Sequence, residues 1–301
     1  MFCLRQLTIA LMLAGLFLIG EAHQAARDRS ANQREVIIPF ALTDQNNIVV
    51  KAKLNNTEEL NLMFHTGASD VSLTEEAVRK IKSVRFTGST QQEAWGGKAN
   101  SRWSQGNLVE IGTVKRDNIV IWEDVNSGPG TDGKFGFDFF GKHIVEIDFD
   151  QRCLILHEQL PGKTKNYEHL TIENQNGNLM VQGSCLLEGK AYTNKFLIHS
   201  GYAGGILLDD AFAASTGVDG KIKITDESAL KDSFGNIIKV KKGILPAFAL
   251  GNTKLADVPA GFFAGQIGRQ KMSVMGGAIL KQFNLIFDIA KSDFYLQKRH
   301  A

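Results

Sequence analysis

Charge of either sign is not in excess in this chain: 34 Lys and Arg oppose 32 Asp and Glu, a net charge of +2. A nucleic-acid binder shows a basic surplus or a basic stripe, so nucleic acid is not expected as a partner. Cysteine is scarce, with 3 residues. Cys3 belongs to the N-terminal segment considered below, which leaves Cys153 and Cys185. In an exported protein such a pair invites a disulfide. The alternating run Cys153-Leu154-Ile155-Leu156 reads instead as a strand holding a buried thiol. Proline is also scarce, 5 residues against 30 glycines. Those glycines stand beside short runs of Val, Ile and Phe, the pattern of strands joined by turns. Long apolar stretches are missing beyond the N-terminal segment, so no later part of the chain is expected to span a bilayer. Hydrophobic residues nevertheless make up 43%, enough for a substantial core, and disorder is not expected.

The first residues read as a targeting segment. Arg5 gives a positive start, and Leu7 to Ile19 is an apolar run too short for a stable membrane span. Gly20-Glu21-Ala22 then places small residues where a signal peptidase cuts, so residues 1–22 are expected to be a signal peptide. An uncleaved N-terminal anchor is the alternative. With cleavage, the protein is expected outside the cytoplasm, periplasmic or secreted, with no membrane association. Residues 23–34 are polar and without periodicity, a flexible lead-in.

From Glu35 the pattern is strand-like. Val36 to Phe40, Ile48 to Leu54 and Leu60 to Phe64 are short strands separated by turn residues. The third strand ends in His65-Thr66-Gly67-Ala68-Ser69. A short helix is expected next, capped by Thr74 with Glu75 and Glu76 in its first turn, where the helix dipole favours acids. Much later Lys195 to Ile198 leads into His199-Ser200-Gly201-Tyr202-Ala203. Another short helix is expected there, with Asp209 and Asp210 at its start and Gly217 past its end. A second pair of segments repeats as well. Lys134-Phe135-Gly136-Phe137-Asp138 precedes a strand running to Asp148 and Phe149, and Val274-Met275-Gly276-Gly277-Ala278 precedes one containing Asp288. These paired patterns, in the same order, mark an internal duplication.

A strand ending in an acid, a hydroxyl residue and glycine, followed later by two apolar residues and glycine, is the lobe signature of aspartic peptidases. The chain resembles that family from about Glu35 to Lys298. Two lobes in one chain resemble pepsin, and the short lobes resemble retropepsins. The stretch Val274 to Leu280 with its following strand is especially similar to the second pepsin lobe. The resemblance implies an all-β, two-lobed acid-protease fold with short helices, with lobes at 35–160 and 161–301. It also implies that Thr66 and Ser200 brace two loops against each other and that Gly67 and Gly201 permit their tight turns.

At both positions of the family's catalytic aspartate the chain carries histidine, His65 and His199. The family's mechanism needs two carboxylates sharing one proton, their pKa values split by like charge. Two imidazoles, each near pKa 6.5 when unperturbed and lower when buried, carry no negative charge with which to activate water. Ordinary aspartic-peptidase activity is therefore expected to be absent or very weak. Three readings follow: a cleft that binds extended polypeptide, a hydrolase using the two histidines as acid and base, and a metal site at the pair. Zinc takes three or four protein ligands, and Asp70 is the one nearby candidate for a third. No cofactor is expected. Asp70 is also a candidate for the cleft, since retropepsins carry acids just after the motif that contact substrate backbone. A covering hairpin is expected over Ser89 to Asn100, with Trp95, Gly96 and Gly97 at its tip, and a second at Phe234-Gly235-Asn236. Trp95 either closes over a peptide or packs at the hairpin base. Gly265 to Gln270 reads as a loop, with Arg269 a further cleft candidate, and Lys239 to Lys242 reads as a solvated edge strand.

Overall fold

Alternating burial builds the first three strands, β1 (Val36–Leu42), β2 (Ile48–Leu54) and β3 (Glu58–Phe64), as the turn residues between them predict. The structure is a computed structural model, and it describes residues 35–94, 97–231, 235, 237–263 and 270–299. The expected signal peptide and lead-in, Trp95 and Gly96, Phe234 and Asn236, and Arg269 lie outside the described residues. The described chain is all-β with short helices. No helix among the described residues is long and apolar enough to cross a membrane.

Seven more strands complete the first half: β4 (Val71–Thr74), β5 (Gly88–Ala94), β6 (Gly97–Ile111), β7 (Val114–Asp124), β8 (Gly133–Phe135), β9 (Ile144–Asp148) and β10 (Cys153–His157). The second half supplies β11 (Glu168–Gln175), β12 (Asn178–Leu187), β13 (Lys190–His199), β14 (Ile206–Leu208) and β15 (Ile224–Lys231). It continues with β16 (Ile237–Leu250), β17 (Thr253–Phe263), β18 (Ser273–Gly276), β19 (Phe283–Asp288) and β20 (Asp293–Lys298). Every pairing inside the first half recurs in the second with both strand numbers raised by ten. Thus β3 runs parallel to β8 as β13 does to β18, and β4 lies between β7 and β8 as β14 does between β17 and β18. The halves join through β9 and β19, which pair antiparallel at the centre of a platform ordered β1-β10-β9-β19-β20-β11. Glu146 sits opposite Ile286 at that centre. It is fully buried, and it is held ionised by His157 at 2.8 Å and Lys163 at 2.6 Å. Burial pushes its carboxyl up, and the two hydrogen bonds outweigh this to leave it below the usual range.

The helix caps follow the sequence. In α1 (Glu75–Lys80) the Thr74 hydroxyl accepts from Ala77 N–H, and in α2 (Asp210–Thr216) Asp209 accepts from Phe212 N–H. Gly217 closes α2 in the left-handed conformation at φ 64°. The glycine of each repeated apolar-glycine element marks a close backbone approach. A Cβ at Gly136 would overlap the Ala68 carbonyl, and one at Gly276 would overlap those of Gly204 and Tyr202. Phenylalanines fill the core beneath: Phe64 packs on Phe135, Phe137 and Phe140, and Phe137 reaches Phe287 of the other half at 5.0 Å.

One expectation needs correction, and one open choice is decided. Lys239 to Lys242 is not an edge. β16 is hydrogen-bonded on both sides, to β15 and to β17, and Lys241 and Lys242 stand opposite Glu227 and Asp226. Alternation reports which face is wet, not whether a neighbouring strand is present. Cys153 and Cys185 are both buried free thiols, so the strand reading holds and the disulfide reading does not.

Candidate functional site

β3 and β13 deliver the two histidines. Each strand ends in a buried apolar run, Leu62 to Phe64 and Phe196 to Ile198, and the chain then turns at a hydroxyl residue and glycine. The turns are locked by four reciprocal hydrogen bonds. Thr66 N–H donates to Ser200 Oγ at 3.0 Å, and that hydroxyl donates to the Phe64 carbonyl at 2.7 Å. Ser200 N–H donates to Thr66 Oγ1 at 3.0 Å, and that hydroxyl donates to the Ile198 carbonyl at 2.6 Å. Thr66 and Ser200 are each 1% exposed. Water does not compete for these bonds, and an unmade one would leave a buried polar group at a cost of about 1–3 kcal/mol. Asn47, also buried, adds a bond from its side-chain N–H to the Ser200 carbonyl at 3.3 Å.

This lock sets the imidazoles against each other. The His65 and His199 ring centroids are 4.4 Å apart at an interplanar angle of 70°, an edge-to-face contact. The Gly67 N–H donates to His65 Nδ1 at 3.2 Å, so the neutral ring carries its proton on Nε2. Gly201 is required here. A Cβ at that position would overlap His65 Cδ2 and Nε2. Burial drives the His65 pKa well below its ordinary 6.5, helped by His199 and by the charge of Lys134. His199 is lowered from 6.5 to about 4, again chiefly by burial, with Lys134 contributing. His65 and His199 are each half-buried as residues, and they stand in a recess of the structure. Both rings are neutral at pH 7.

The recess is a cavity of ≈ 700 Å³ built from both halves. Met63, His65 and Lys134 line it from the first half, and Leu197, His199 and Tyr202 from the second. Its charged lining among the described residues is Lys134 and Lys242, with no carboxylate. Burial raises the Tyr202 phenol to about 12, so it stays a neutral donor. Of the covering hairpins, β15–β16 contributes Ser228, Ala229, Leu230 and Lys242 to the lining. The β5–β6 hairpin forms over the expected residues, with Gln91 opposite Asn100 and Ala94 opposite Gly97. Its described residues do not line the cavity.

Asp70 does not join the pair. It is exposed at the start of β4 and is not part of the cavity wall. Its charge acts instead on Asp138, whose carboxyl is raised by burial and then by Asp70. Among the described residues no group of three His, Cys, Asp or Glu side chains is placed to hold a metal ion. The imidazole pair alone is short of the donors zinc takes. His143, His157 and His169 stand away from the cavity wall. Lys134, Lys242 and Asn47 are cavity residues that the sequence did not mark as site candidates. The signal for Lys134 was a lysine where the duplicated segment has Val274.

No protein-family model matches the chain, and no curated protein matches it in sequence.

Proposed function

We propose that this chain is a two-lobed homologue of the pepsin-like and retropepsin-like aspartic peptidases that binds extended polypeptide between its lobes and does not hydrolyse it. One observation carries the reading. Two neutral imidazoles, locked by reciprocal Thr66 and Ser200 bonds, line an interhalf cavity with no carboxylate among its described lining residues. The strand-for-strand duplication supports the family resemblance, because a pseudo-two-fold fold brings one loop from each half to the axis. The lining supports an extended ligand, since it combines apolar side chains with amides and glycine backbone, which suits main-chain hydrogen bonds together with side-chain pockets. Export from the cytoplasm belongs to the same reading and rests on the N-terminal sequence.

Binding is favoured over altered hydrolysis by protonation. An acid–base pair of histidines needs one ring charged near the working pH. With His199 lowered to about 4, the imidazolium is a minor species at pH 7, and a second charged ring 4.4 Å away would be repelled.

The test is selection of a displayed peptide library on the mature protein at pH 7. The expected result is a set of peptides that bind, that mass spectrometry finds intact after long incubation, and that lose about tenfold or more in affinity against Ala229→Trp, which fills the cavity from an exposed position. Recovery of no binder, or of cleaved peptides, overturns the proposal.

A further inference from the structure

The strand registers superpose the two halves residue by residue. Met63 pairs with Lys134 as Leu197 pairs with Val274, and Lys134 pairs with Ser72 as Val274 pairs with Leu207. Ser72 pairs with Trp122 as Leu207 pairs with Gly261, which makes Asp124 the counterpart of Phe263. Trp103 faces Trp122 as Lys242 faces Gly261, which makes Ser101 the counterpart of Val240. In the second half, Met180, Leu197, Leu207, Val240, Phe263 and Val274 form a small buried apolar cluster. Met180 pairs with Leu197 as Val49 pairs with Met63, so in the first half the same places hold Val49, Met63, Ser72, Ser101, Asp124 and Lys134, and four of these six are polar.

The polar set is organised around a charge. Lys134 Nζ lies 2.8 Å from Asp124 Oδ2, with side chains 14% and 11% exposed. Ser72 Oγ donates to the same carboxylate oxygen at 2.6 Å, and Ser101 Oγ donates to the Glu123 carbonyl at 2.8 Å. A buried ion pair is generally no more stable than the apolar residues that could replace it, and often less so by about 1–4 kcal/mol. The second half demonstrates that this fold accommodates the apolar solution at these positions. The ion pair therefore needs a reason other than stability. Lys134 lines the cavity and Asp124 does not, so the ammonium is presented to the ligand and the carboxylate supports it from behind. Lys242 adds a second cation, and His65 adds a neutral N–H donor on Nε2.

We infer that Lys134 and the two imidazoles form an anion subsite, so that the polypeptide held in the cleft places an Asp or Glu carboxylate over the histidine pair. This rests on the polypeptide-binding reading and adds the side-chain class it selects. A carboxylate accepts from ammonium and imidazole N–H groups through charge-assisted bonds, and a cavity wall without acids does not repel it.

The experiment compares a selected peptide carrying Glu with its Gln twin by calorimetry. It uses the wild type and the double variant Lys134→Met with Asp124→Asn, which removes the cation without leaving a lone buried carboxylate. The Glu peptide is expected to bind the wild type about tenfold tighter or more. That ratio should shrink as salt is raised and fall to about one in the double variant. Peptides that bind the wild type with no Glu preference overturn the subsite and leave the polypeptide reading standing. If no peptide binds, the polypeptide reading fails, and the subsite is read separately from the His65 and His199 ring NMR signals. Shifts induced by N-acetylglutamate α-amide but not by N-acetylglutamine α-amide retain the subsite with a free carboxylate as its source. Absence of such shifts removes it.

Discussion

His65 and His199 are built to stay uncharged. Burial and the Lys134 ammonium disfavour both imidazoliums, His199 adds to this at His65, and the Gly67 N–H occupies the one lone pair that His65 Nδ1 offers. The consequence for stability has a definite sign. His199 titrates near 6.5 when unfolded and near 4 when folded. Between those values the unfolded chain binds more protons, so stability falls as pH drops from about 6.5 to about 4. The loss attributable to His199 is up to about 3 kcal/mol, its upper end applying only if solvent does not screen the ring. His65 acts in the same direction. The depressed carboxyls of Glu58 and Glu146 act below their unfolded value of 4.5, and the raised Asp138 carboxyl acts above 3.8 with the opposite sign, so the histidine share is the difference between wild type and variant. Denaturant unfolding measured stepwise from pH 7 to 4.5 should show the decline, and His65→Gln with His199→Gln should flatten it.

At the scale of elements, the lock between the ends of β3 and β13 fixes the site. Thr66→Val removes one hydroxyl and orphans the Ser200 N–H and the Ile198 carbonyl. Ser200→Ala orphans the Thr66 N–H and the Phe64 carbonyl. Each variant is expected to lose about 2 kcal/mol of stability. The double variant should lose less than the sum, with a coupling of about 1 kcal/mol, as read from a double-mutant cycle by urea unfolding. These elements were legible in the sequence wherever local chemistry decides. Thr74 and Asp209 cap their helices because their oxygens reach a free N–H, and Gly217 ends α2 because it tolerates a left-handed turn. Lateral neighbours were not legible. The alternation of Lys239 to Lys242 shows a wet face and says nothing of the strand on either side. Asp70 follows the motif in sequence, yet the chain carries it to solvent at the start of β4.

For the whole molecule, the duplication was readable because two His-hydroxyl-Gly turns and two apolar-glycine elements recur in one order. The difference between the copies needed the registers. Lys134 in one segment and Val274 in the other are a single mismatch in sequence. Only the sheet shows that Ser72, Ser101 and Asp124 change with it. The fold thus keeps symmetry where the loops meet and breaks it in the wall beside them. On the proposed function, the cleft holds polypeptide over a neutral pair where an acid pair would cut it. The deciding measurement is a pooled peptide-cleavage assay over pH 3–8 that compares the wild type with His65→Asp/His199→Asp. That reading requires no cleavage by the wild type and cleavage by the double variant, fastest in acid where two close carboxyls share one proton. Wild-type protein that cuts the pool, with the cutting lost in His65→Ala, would contradict it.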